Sequence, residues 1–80
     1  MKNPVNIGYK GLDNLEIGDI VRYIAGQGDH HMEAVAEVAK PSGGTGCIVR
    51  IIFIEQCGSK VTHKKDDEIC AGALELFYKL

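Results

Sequence analysis

Cys47-Ile-Val-Arg-Ile-Ile-Phe-Ile-Glu-Gln56 decides how this chain is read, because it is the longest β-branched run in the sequence and is apolar at both alternating sets of positions. As a strand of period two it sets Ile48, Ile52 and Ile54 on one side, with Arg50 among them, and Val49, Ile51 and Phe53 on the other. Both faces then need cover, and both edges need neighbours.

Upstream, Met32 to Lys40 admits two readings. Met32, Val35, Ala36 and Ala39 fall at helical spacing, whereas a strand puts Ala34, Ala36 and Val38 on one face and Glu33, Val35 and Glu37 on the other. The demand of the central strand for partners favours the strand, with Pro41-Ser-Gly-Gly-Thr-Gly46 as the hairpin loop between the two. Ile20 to Ile24 alternates as a first strand behind a turn at Asp13-Asn14. Downstream, Cys57-Gly58-Ser59 reads as a turn, Lys60 to His63 as a short polar return strand, and Lys64-Lys65-Asp66-Asp67-Glu68 as a solvated loop. At the C-terminal end a helical stripe (Ile69, Ala73, Leu76, Phe77, Leu80) competes with the alternation of Leu74, Leu76, Tyr78 and Leu80. One helical turn through Ile69 to Ala73 followed by a strand from Leu74 to Leu80 satisfies both. Residues 1–11, which contain Pro4, Gly8 and Gly11, read as an extended arm rather than a helix.

These elements make an all-β chain, a single domain over 1–80, built as a small barrel of about five strands with a short helical turn before the last. The alternative is α+β, with helices at 30–40 and 67–79. Ile17-Gly18-Asp19-Ile20-Val21-Arg22 resembles the opening strand of SH3-like barrels, and Ala71-Gly72-Ala73-Leu74-Glu75-Leu76 resembles the turn and last strand that close them. Both pieces also resemble the plasmid-borne type II dihydrofolate reductases, a resemblance that implies an SH3-like fold and oligomeric assembly. Lys60-Val61-Thr62-His63 stands where that family carries Val-Gln-Ile-Tyr, so no catalytic residue carries over.

With 80 residues, the chain buries only about 60% of its unfolded surface, and domains of this size draw on disulfides, metals or partner subunits for additional stability. Cys47, Cys57 and Cys70 are odd in number and lack Cys-x-x-Cys spacing, which fits reduced thiols in the cytoplasm and no zinc site. A homo-oligomer is therefore the expected supplement. Net charge is −2 and the pI about 5.8, so bulk electrostatics does not favour nucleic acid, and no apolar run is long enough to span a membrane.

The candidate binding residues are Tyr23, His30, His31, Arg50, His63 and Tyr78. His30-His31 beside Asp29, with His63 elsewhere, is the one cluster bearing metal-ligand chemistry, yet its spacing is that of a solvated loop and no metal is expected. Tyr23 and Tyr78, with Phe53 and Phe77, offer aromatic surface for a ligand groove, but the absence of tryptophan argues against proline-rich recognition. Arg50 either snorkels from the isoleucine face or pairs with Glu33, Glu37 or Glu75, across a subunit interface in the second case. Cys57 with His63 would need an oxyanion element that the sequence does not offer. The glycines after Ser42 lack the lysine of a phosphate loop, and no cofactor is expected. The expected function is a self-associating binding or accessory module without catalysis of its own, for an unknown protein or small-molecule partner. The alternative is an oligomeric binder or enzyme with its site between subunits, and a third reading is weak nucleic-acid binding through Lys60, Lys64 and Lys65.

Overall fold

The computed structural model describes residues 5–41 and 46–79. The chain order is α1 (Gly8–Leu12), β1 (Ile20–Ala25), a 3-10 turn (Gly28–His30), β2 (Met32–Lys40), β3 (Gly46–Cys57), β4 (Glu68–Gly72), a second 3-10 turn (Ala73–Glu75) and β5 (Leu76–Lys79). Five antiparallel strands form one sheet in the order β4-β3-β2-β1-β5, curled into a half-barrel.

The curl follows from chain connectivity. β4 and β5 lie at opposite edges of the sheet, which in a flat sheet would be about 19 Å apart, four strand spacings. Only the turn Ala73–Glu75 joins them, and the step from Gly72 to Leu76 reaches at most about 14 Å even when extended. The edges must therefore bend toward each other. Inward positions of the central strand are small, Ala34 and Ala36, with Val38 and Met32 beside them, and all four are buried. Small side chains on the concave side let the sheet close without overpacking. Val21, Val49, Ile51, Ile69, Ala71 and Leu76 complete the core, and Leu12 and Leu15 are buried against it from α1 and the turn after it.

β3 departs from simple alternation. Cys47, Val49 and Ile51 face inward as one set, but the register with β2 runs Ala36 to Ile51, then Val35 to Phe53 and Ala34 to Ile54, which leaves Ile52 as an extra residue. This bulge reverses the pattern. Ile54 packs against the core, while Phe53, expected beside Val49 and Ile51, points outward and is 49% exposed.

The all-β expectation holds, and 32–40 is a strand. The α+β alternative fails, because 30–40 and 67–79 form β2, β4 and β5 rather than helices. Three local readings are corrected. Lys60 to His63 is not a strand; β4 at 68–72 takes its place, burying Ile69 and Ala71. The helical turn lies at Ala73–Glu75 instead of 69–73. The arm pairs with β5 only around residues 5–7, where Ile7 N donates to Leu76 O at 3.0 Å and Tyr78 N to Val5 O at 3.1 Å. Gly8–Leu12 forms a short helix despite its glycines, because burying Leu12 outweighs their weak propensity. The outer portion of the arm at 1–4 and the expected hairpin loop at 42–45 lie outside the described residues.

Candidate functional site

The loop after β3 decides where polar side chains meet. Gly58 N donates to His31 O at 2.7 Å and Lys60 N to Asp29 O at 2.9 Å, which ties this loop to the 3-10 turn between β1 and β2. Val61 packs on the core from the same loop. The result is a cleft of about 340 Å³. Tyr23 and Met32 line it from the sheet, His30, Lys60 and His63 from the two joined loops, and Glu75 from the second 3-10 turn.

Each wall is fixed by its own local chemistry. Tyr23 points inward from β1, and burial raises its phenol above the ordinary range, with Glu75 and Cys70 adding to the shift. Glu75 Oε1 accepts the Gly72 amide at 2.8 Å, which orients the carboxylate at the head of the turn. His63 Nδ1 lies 3.9 Å from Asp67 Oδ2, one helical spacing away in sequence. The Lys60 ammonium and two imidazoles thus line one lip and a carboxylate the other, over a floor with aromatic and apolar surface.

Of the six candidates, Tyr23, His30 and His63 are brought together here. The other three face elsewhere. His31, next to His30, turns away, with Nε2 2.9 Å from Glu33 Oε2 and Nδ1 3.2 Å from Gly26 O. Arg50 pairs with Glu37, its direct cross-strand neighbour, within the same chain. At 47% exposure its side chain makes a surface ion pair of small energetic consequence, about 0–1 kcal/mol. Tyr78 lies 6.0 Å from the Arg22 guanidinium, beneath which Val35 is buried on the convex face. Nothing in the sequence pattern singles out Arg22. Burial works against its charge, but Tyr78 and the ion pair with Glu55 outweigh that and raise its pKa.

Both ring nitrogens of His31 meet oxygen acceptors, so the protonated form is favoured: the hydrogen bond to Glu33 raises its pKa most, followed by that to Gly26. A raised folded pKa means that the contribution to stability is complete below the unfolded histidine value of about 6.5 and is lost as pH rises through the higher folded value. Urea unfolding across pH 5 to 8 should therefore show a component that fades toward the alkaline end, and His31→Gln should remove that component. An unchanged pH profile in His31→Gln would contradict the pairing.

A second depression of about 380 Å³ lies by Ala39, Lys40, Ile48, Glu68 and Cys70, with only one cation and one carboxylate facing it. Cys57 is exposed at the end of β3, and burial raises the Cys47 thiol. Among the described residues, no three His, Cys, Asp or Glu side chains gather closely enough to hold a metal ion, and no helix is long and apolar enough to cross a membrane. Comparison with protein-family models, curated proteins and solved structures finds no match.

Proposed function

We propose that this chain is a small SH3-like binding module of the cytoplasm, without catalysis of its own, and that its binding site is the cleft between β1, the Gly28–His30 turn and the loop at 60–63. The observation that carries this reading is the convergence of Tyr23, His30, Lys60, His63 and Glu75, from four separate parts of the chain, on one concavity. Binding sites are concave, partly apolar and furnished with a few polar groups, and this cleft has all three attributes. The closing strand β5 beside β1, reached through a 3-10 turn, supports the SH3-like reading.

The charge layout favours a partner group that presents a carboxylate to Lys60 and apolar surface to Tyr23 and Met32. N-acetylphenylalanine is a suitable probe. Titrated to millimolar concentration against the ¹⁵N-labelled chain, it should shift the amides of Tyr23, His30 and Lys60. Lys60→Ala should weaken binding about fivefold, equivalent to about 1 kcal/mol for one charge-assisted hydrogen bond. Shifts confined to the convex face, or none at all, would remove the cleft from consideration.

A further inference from the structure

We propose that the ligand of the cleft is a small zwitterion, with an ammonium that meets Glu75, a carboxylate that meets Lys60 and an apolar body between the two. This inference rests on the cleft being the binding site and adds the charge pattern of what it takes.

Glu75 carries the argument. The residue is half-buried in the cleft wall, and its Oε1 accepts the Gly72 amide at 2.8 Å, so the carboxylate is held there rather than free to swing into water. Its Oε2 meets no donor among the described residues. Three other half-buried carboxylates each face a basic side chain of the same chain: Glu33 faces His31, Glu37 faces Arg50 and Asp67 faces His63. Glu75 has no such partner among the described residues. A carboxylate partly withdrawn from water favours a cation beside its second oxygen.

Tyr23 shares that wall. Burial and then the Glu75 charge raise its phenol, which places the carboxylate near the ring. An ammonium is attracted by a carboxylate and by an aromatic ring alike, whereas a second anion is repelled by the first. Across the cleft, the Lys60 amide is anchored to Asp29 O at 2.9 Å, and its exposed side chain has no ion-pair partner among the described residues. Met32 and Val61 add apolar surface. One held anion and one uncommitted cation are answered together by a ligand of zero net charge with charged ends. A volume of about 340 Å³ is at the small end for ligand pockets, which limits the ligand to a free amino acid or a short peptide with both ends unblocked.

Glycylphenylalanine differs from N-acetylphenylalanine only by an ammonium in place of one methyl hydrogen, and phenylalanine differs from 3-phenylpropanoate in the same way. Titrated against the ¹⁵N-labelled full chain, at least one ammonium-bearing compound should bind about tenfold more tightly than its counterpart, the effect of one charge-assisted contact. A gain with glycylphenylalanine identifies a short peptide, and a gain with phenylalanine alone identifies a free amino acid. Glu75→Gln keeps an oxygen for the Gly72 amide and should abolish the gain while leaving N-acetylphenylalanine binding unchanged. If N-acetylphenylalanine binds but neither ammonium improves on its counterpart, the zwitterion is overturned and the cleft stands; this comparison needs no variant to fold. A gain that survives in folded Glu75→Gln would overturn the assignment to Glu75. If none of the four compounds shifts the cleft amides, the binding site and the inference fall together.

Discussion

Ile51→Ala should lower stability by about 2–5 kcal/mol, the cost of truncating a fully buried isoleucine and leaving a cavity. Ile51 has no exposed surface and sits opposite Ala36, a side chain too small to swing into the vacated space. In a domain of this size the melting temperature should fall by at least about 10 °C, and the loss is comparable with the whole stability of a small domain. The neighbouring positions make the test sharper. Because the bulge at Ile52 reverses the facing of the residues beyond it, Ile54→Ala should cost more than Phe53→Ala, although simple alternation from Ile51 ranks them the other way. Urea unfolding with an unchanged m value is the appropriate measure. If Phe53→Ala proved as damaging as Ile51→Ala, the outward placement of Phe53 would be wrong.

Gly58→Ala should damage both the fold and the cleft. A Cβ at this position would lie 2.3 Å from Asp29 O and 2.4 Å from its carbonyl carbon, both backbone atoms that cannot rotate away. Relief requires separating the two loops, at a cost of about 1–3 kcal/mol, and strains the 2.7 Å bond to His31 and the 2.9 Å bond from Lys60 to Asp29. Since those bonds carry Lys60 and His63 to His30, binding of N-acetylphenylalanine should fall together with stability. Gly18→Ala provides the contrast. Its φ of +94° disfavours a side chain, but nothing lies within 4 Å of the added carbon, so stability should drop by about 1 kcal/mol with binding unchanged. Equal losses of affinity in the two variants would mean that global loosening, rather than loop separation, disturbs the cleft.

The strands that are legible in the sequence are those whose side chains alternate in an uninterrupted way: Ile20 to Ile24 and Met32 to Lys40 occur where period two places them. β3 is legible as a strand but not in its facing, because a bulge is a backbone event that leaves no mark on an apolar run such as Ile51-Ile52-Phe53-Ile54. β4 escapes a reading by pattern although Ile69 and Ala71 alternate with Glu68 and Cys70, since the acidic run before it reads as a loop and the glycine turn at 58 invites a strand immediately after. The cleft is half legible. Tyr23, His30 and His63 carry the right chemistry, but Lys60 and Glu75 join them only through main-chain bonds between segments distant in sequence, which composition and spacing do not encode. His31, Arg50 and Tyr78 have equally suitable chemistry and face away, because the side of a strand or turn is set by one residue of register.

The short stretch at residues 5–7 lies along β5, with the Asn6 side-chain amide donating to Leu74 O across 68 positions of sequence. β5 is thereby held between the beginning of the chain and β1. That arrangement bears on kinetics. Both partners of the final strand come from the first third of the sequence, so the loop entropy of almost the entire polypeptide must be met before either contact repays it, which places refolding among the slow, millisecond-to-second class of small β proteins. On a ribosome, the early segments would wait with β5's place unfilled until residues 76–79 emerged.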